Sequence, residues 1–212
     1  MAGIAPHTLV LLASPAALTA KAPLPEWASA MLTQSPYAIV RRGFQADRIP
    51  VGLRGYQKNQ RFAAFAMPSR IKAAVTPQAA LRLLPGLDPQ RSELPAFQKL
   101  KALQPLLQGF DWGVGGSLQF ELVTGLKMAR ATSDIDVIMT RPRQPLTVAA
   151  AQTLVQQLQT IAGAHADIQV VHGQDGFSLE EYAQHRDSQI MMKTASGPQL
   201  TTDPWHFQGD DQ

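Results

Sequence analysis

The chain has 212 residues, of which 45% are hydrophobic and 17% charged, with a formal net charge of +3 and no cysteine. That length allows one large domain or two small ones around a sizeable core, and the composition is that of an ordinary globular protein. So mild a positive balance argues against wrapping nucleic acid, and the lack of cysteine excludes disulfides, thiolate metal sites and cysteine nucleophiles.

The first apolar run, "HTLVLLASPAALTAKA" (His7–Ala22), ends in small residues as a secretory leader does. The preceding "MAGIAP" carries no lysine or arginine, however, and Pro15 interrupts the run, so a first strand or short helix is the better reading. No apolar stretch reaches the roughly 18 residues of a membrane span. A soluble, cytoplasmic protein without a membrane partner is expected. After the helix-like "LPEWASAMLTQ" come three short runs rich in β-branched or aromatic residues: Tyr37–Arg42, Arg48–Gly55 and Gln60–Ala66. They read as strands, with Pro50 suggesting an edge strand or a late start. This region is also basic, holding Arg41, Arg42, Arg48, Arg54, Lys58 and Arg61 against the single acid Asp47. "TPQAALRLL" (Thr76–Leu84) has a cap residue and a proline at the first helical position. Pro85–Pro95, "PGLDPQRSELP", is the best candidate for a domain seam. It gives an expected division into residues 1–88, β-rich, and residues 89–212.

The second half alternates helices and strands. Ala96–Leu107 predicts an amphipathic helix, shortened or kinked by Pro105. "DWGV" leads into Gly115–Gly116–Ser117, after which "LQFELVTGL" is helical. Ser133–Thr140, "SDIDVIMT", predicts a strand. Leu146–Gly163 is the clearest helix, with Leu154, Leu158 and Ile161 on one face. Ala166–Gly173 is a further strand, "SLEEYA" opens a serine-capped helix, and "QIMMKT" reads as the last strand. The order implies an α+β domain in which helices pack on a mixed sheet.

Two features could carry chemistry. On a strand Asp134 and Asp136 project to the same side, and carboxylates that close invite a cation such as Mg²⁺ or Mn²⁺. A lone D-x-D is equally the solvated face of an edge strand. Gly115 and Gly116 permit close backbone approach, and the following helix start offers amides to an anion. The same turn serves an ordinary strand-to-helix connection, and no Gly-Lys-Ser/Thr marks it as a Walker loop.

Together, "GGS" at 115–117 and "SDIDVIM" at 133–139 make the chain similar to the DNA polymerase β-like nucleotidyltransferase superfamily. The stretch Leu118–Ser133 is long for that superfamily. The pattern implies a third carboxylate on a neighbouring strand, where Asp167 of "ADIQV" fits, with Asp175 as the fallback. More narrowly, the sequence resembles the phosphoribosyl-dephospho-CoA transferases of malonate decarboxylase, its holo-acyl-carrier-protein synthases. The likeness runs through "APHTLVLL", "VRRG", "IPVGLRG", "QRFAAF", "GGS…SDIDV", "DIQV", "FSLEEYA" and "SGPQLTTDPW".

The resemblance implies a nucleotidyltransferase-type catalytic half behind a smaller β-rich N-terminal domain. The implied reaction moves the phosphoribosyl-dephospho-CoA group of 2′-(5″-triphosphoribosyl)-3′-dephospho-CoA onto a serine of the acidic acyl-carrier subunit, releasing pyrophosphate. Asp134 and Asp136 would hold Mg²⁺ or Mn²⁺, and Asp167 would complete the metal site or act as general base. Gly115, Gly116 and Ser117 would cradle the leaving phosphates. Lys127 and Arg130 would offset charge there, unless they are a solvated helix end. Arg54 and Arg61 would meet phosphate or carrier, unless they only solubilise a strand face. The alternatives are another metal-dependent nucleotidyltransferase, such as a protein adenylylating enzyme or the citrate lyase counterpart, and a non-enzymatic carrier-binding module.

Overall fold

A computed structural model describes residues 4–45, 47–184 and 189–208, in two compact units that divide between Thr76 and Pro77. The first unit contains β1 (Leu9–Leu12), β2 (Leu18–Thr19), α1 (Glu26–Gln34), β3 (Tyr37–Val40), β4 (Ile49–Arg54), β5 (Arg61–Ala66) and β6 (Ile71–Val75). These strands make one six-stranded sheet in the order β2-β5-β4-β3-β1-β6, antiparallel throughout. Val10, Leu12, Val40, Val51 and Leu53 bury against Leu32 of α1. The run from His7 therefore begins as a strand.

Pro50 does not mark an edge, because β4 lies between β5 and β3. It is accommodated at the second residue of the strand, where β3 pairs only with Val51 and Gly52, while its carbonyl still accepts from Arg41 at 2.9 Å. Proline lacks only the donor, so a position outside the ladder's donor set costs little.

The second unit runs α2 (Pro77–Leu81), α3 (Pro89–Ser92), α4 (Pro95–Leu107), β7 (Trp112–Val114), α5 (Gly116–Thr124), β8 (Ile135–Thr140), α6 (Val148–Thr160), β9 (Ala166–His172), β10 (Asp175–Ser178), α7 (Leu179–Gln184), β11 (Ile190–Thr194) and β12 (Gly197–Thr201). Its six-stranded sheet has the order β12-β11-β10-β9-β8-β7. β8 and β9 pair in parallel, with α6 as the intervening crossover, and the other pairings are antiparallel. The expected α+β class with a mixed C-terminal sheet and a β-rich N-terminal part is the observed one.

The prolines of Pro85–Pro95 open helices. Pro89 and Pro95 stand at helix starts, and Asp88 caps α3 by accepting from the amides of Gln90 (2.8 Å) and Arg91 (3.2 Å). This stretch lies inside the second unit, not at the seam. Pro105 falls so near the end of α4 that the helix stops at Leu107. Asp175, the fallback carboxylate, opens β10, and "QIMMKT" is followed by one more strand, β12.

An aromatic cluster explains two of the family-like motifs. Trp205 of "TTDPW" meets Phe177 edge-on at 5.0 Å and Tyr182 of "FSLEEYA" at 5.4 Å, and its carbonyl accepts from Arg141 at 2.8 Å. Such contacts fasten the C-terminal segment to the sheet. Among the described residues no helix is long and apolar enough to cross a membrane.

The edge strand β7 is covered by α2 at Gly113. A Cβ there would fall on the Pro77 and Gln78 backbone, which cannot yield as a side chain can. Gly113→Ala is expected to destabilise the protein by about 1–3 kcal/mol or more, as overpacking does, measurable as a lowered denaturant midpoint.

Candidate active site

The site is assembled where α5, β8 and β9 meet. The α5 helix opens on the glycine turn, with Gly116 at a φ of 63° and Gly115 donating its amide to the Asp136 carbonyl at 2.7 Å. Only glycine fits at 116: a Cβ would sit on the Asp136 carboxylate. The backbone of the turn thus lies directly against one of the acids. The first turn of α5 presents amides of Gly116, Ser117 and Leu118, which helix geometry leaves without intrahelical acceptors. The Ser117 side chain is buried, its hydroxyl 3.4 Å from that of Ser133, so it ties the turn to the segment leading into β8.

Asp134 lies one residue before β8 and is exposed, Ile135 is fully buried, and Asp136 is exposed again. The strand starts at Ile135 because Ser133 closes the preceding turn: its amide donates to the Arg130 carbonyl at 3.0 Å and its hydroxyl accepts from the Arg130 amide at 2.9 Å. In the parallel ladder Asp136 is paired in register with Asp167 of β9. Strands of one sheet run about 4.8 Å apart, so the two carboxylates start from neighbouring backbones on one face. Asp167 is half-buried, and both of its oxygens accept hydrogen bonds, Oδ2 from Gln169 at 2.9 Å and Oδ1 from Ser178 at 3.2 Å.

Asp136, Asp167 and the glycine turn are therefore brought together, and Asp134 lies just before the strand that carries Asp136. Among the described residues no group of three or more His, Asp or Glu side chains is placed so that it could hold a metal ion by itself. Asp175 lies at the far end of β9, opposite His172, and so away from Asp167. Lys127 and Arg130 are exposed in the loop between α5 and β8. Arg54 and Arg61 belong to the first unit, where they stand directly opposite each other across β4 and β5.

The long stretch Leu118–Ser133 has a definite anchor. The α5 helix ends at Gly125 in a left-handed C-cap, and the loop then folds back with Met128 and Ala129 buried. Glu121, with a side chain only 2% exposed, holds it. Arg91 donates through Nε at 2.6 Å and one terminal nitrogen at 3.0 Å to the two Glu121 oxygens. The Ala129 amide donates to Glu121 at 2.7 Å, and Arg91 also donates to the Ala129 carbonyl at 2.6 Å. The bond to Glu121 raises the proton affinity of Arg91 above the ordinary guanidinium value, against the desolvation that opposes it.

Sequence reading passed over Arg91, Glu121, Gln169, Ser178 and Lys193. The signal for Glu121 was an acid within the apolar helix "LQFELV", since a carboxylate there needs a buried partner. Nothing in one sequence pointed to Arg91, which lies in a segment that reads as a linker.

Comparison with known families decides the identity. The N-terminal domain model of phosphoribosyl-dephospho-CoA transferase MdcG matches residues 5–77, and its C-terminal domain model matches residues 81–204. The chain belongs to the phosphoribosyl-dephospho-CoA transferase family. Proteins of that name from Pseudomonas fluorescens (strain Pf0-1) and Klebsiella pneumoniae (strain 342) are similar to it. They are 34% and 32% identical, over 95% of this chain in both cases and over 95% and 96% of theirs. The protein of that name from Pseudomonas syringae pv. tomato is 32% identical over 86% of this chain and 85% of its own. No solved structure gives a significant match.

Removing Arg91 leaves the Glu121 carboxylate buried without its counter-ion. Arg91→Met is expected to lower unfolding stability by about 3–5 kcal/mol, read by urea denaturation.

Proposed function

We propose that this member of the transferase family moves the phosphoribosyl-dephospho-CoA group from 2′-(5″-triphosphoribosyl)-3′-dephospho-CoA to a serine of the apo acyl-carrier subunit of malonate decarboxylase, in the cytoplasm, with release of pyrophosphate. The observation that carries the reading is the in-register opposition of Asp136 and Asp167, with the backbone of Gly116 against Asp136. Full-length similarity to transferases of that name supports the donor and the group transferred.

The donor set fits a hard divalent cation. Asp134, Asp136 and Asp167 offer only carboxylate oxygens, the donor type a hard divalent cation prefers, and the bare Gly116 lets the Asp136 carboxylate lie directly against the turn, where a Cβ would collide with it. Magnesium held there by Asp134 and Asp136, with Asp167 beside them, would neutralise oxygens of the triphosphate, the substrate and water supplying its other ligands. Asp167, whose oxygens accept from Gln169 and Ser178, would complete that metal site or act as general base. The α5 amides meet the departing phosphates, as helix starts do. The carrier serine oxygen attacks the α-phosphorus, its proton passes to solvent or a carboxylate, and the bond to pyrophosphate breaks. The product is a phosphodiester.

Lys127 and Arg130 stand on the loop that leads to Asp134, where positive charge offsets the charge of the leaving group. Arg54 and Arg61 stand opposite each other on β4 and β5, in the basic region of the first unit. They are assigned to the phosphates of the donor or to the acidic carrier.

Asp134→Asn and Asp136→Asn are each expected to reduce labelling of the carrier serine by at least about a hundredfold, on the scale of lost transition-state charge stabilisation, with circular dichroism unchanged. Full labelling by both variants would remove the carboxylates from the mechanism. In parallel, ATP should not replace the triphosphoribosyl donor; transfer of AMP instead would make the chain an adenylylating enzyme.

A further inference from the structure

Both oxygens of the Asp167 carboxylate accept hydrogen bonds, one from Ser178 and one from Gln169, and the Gln169 amide is itself held by a third side chain. Ser178 on β10 pairs with Gln169 on β9, Gly176 pairs with Val171, and Gly176 also pairs with Lys193 on β11. Paired residues share a face, and residues two apart along a strand return to it. Asp167, Gln169, Ser178, Gly176 and Lys193 therefore project from the same face of the sheet as Asp136. Gly176 has no side chain, so nothing stands on β10 where Lys193 must cross it. The lysine makes that crossing: Nζ donates to Oε1 of Gln169 at 2.9 Å. Gln169, only 8% exposed, then donates through Nε2 to Oδ2 of Asp167 at 2.9 Å.

We propose that Lys193 is a positioning residue that orients the Asp167 carboxylate through the side-chain amide of Gln169. The inference rests on the reading above, in which Asp167 faces the cation. An ammonium has three donors and no acceptor, whereas an amide has an acceptor end and a donor end. Lys193 therefore dictates which way the Gln169 amide points, with oxygen toward the ammonium and nitrogen toward Asp167. Without the ammonium the amide is free to turn, and an amide oxygen facing a carboxylate oxygen repels it. Ser178 constrains the other oxygen by an independent bond. The carboxylate is thus fixed at both oxygens, and only one of those constraints depends on Lys193. Groups that orient ligands in this way typically change activity or metal affinity by about 10–100-fold when altered.

The test is a double-mutant cycle on the full-length enzyme with the triphosphoribosyl donor and apo carrier. Lys193→Met, close in length but without donors, is expected to lower kcat at least about tenfold and to leave the KM for carrier unchanged. Gln169→Glu keeps an acceptor for Lys193 but replaces the donor to Asp167, and is expected to do the same. Calorimetric titration of Mg²⁺ in the presence of donor and absence of carrier should show weaker binding for both. Combined with Asp167→Asn, Lys193→Met should add no further loss, because the group it orients has been altered. A full multiplicative loss in the double variant, or wild-type Mg²⁺ affinity in Lys193→Met, overturns the relay while leaving the role of Asp167 intact. Wild-type transfer by Asp167→Asn alone overturns the role of Asp167, and the relay with it.

Discussion

The buried pair of Arg91 and Glu121 is the constraint on which the candidate site depends. A carboxylate 2% exposed on an apolar helix face is unfavourable unless its charge and its lone pairs are both met. Here the guanidinium meets both carboxylate oxygens as a planar fork and then reaches the Ala129 carbonyl, while the Ala129 amide returns to Glu121. The result is a closed ring joining α3, α5 and the loop after α5. That loop leads to Asp134, so an ion pair remote from it in sequence anchors the segment that carries an exposed acid. A loop of this length held only by its ends would leave Asp134 to wander.

Around that anchor, the parallel ladder does the rest. Pairing Asp136 with Asp167 brings two like charges to one face of neighbouring strands, an arrangement that folding alone would not favour. The surroundings accept the arrangement instead of relieving it by burial: Asp136 stays exposed beside a bare glycine, and Asp167 takes donors at both oxygens. A cation and a polyphosphate would complete such a surface. The fold thus supplies carboxylates and backbone amides at one place.

Much of this was legible in the sequence because it is local. Alternation placed Ile135 inward with Asp134 and Asp136 outward, and glycines before an apolar helix marked the turn at 115–116. The Thr-Pro start of α2 and the strand at Ala166 followed from the same short-range rules. What escaped was non-local or depended on tertiary support. The short strand β6 and the last hairpin strand β12 exist because neighbours pair with them, and the prolines of 85–95 look the same whether they end a domain or begin helices. Pro50 suggested an edge, yet the ladder from β3 stops short of it. The polar chain from Lys193 to Asp167 spans three strands, and no spacing in one dimension encodes it.

The crossover between β8 and β9 has a consequence for biogenesis. Two parallel strands cannot be joined by a tight turn, so Asp136 and Asp167 meet only after α6 has been made and laid across the sheet. Contacts of that sequence separation form late compared with hairpins, because the intervening chain must lose its freedom first. A nascent chain that has emerged only as far as Asp136 carries the glycine turn and one half of the acid pair, without its counterpart. The carboxylate pair is therefore completed only once β9 has been made and has docked beside β8, and chains ending before β9 carry Asp136 without Asp167.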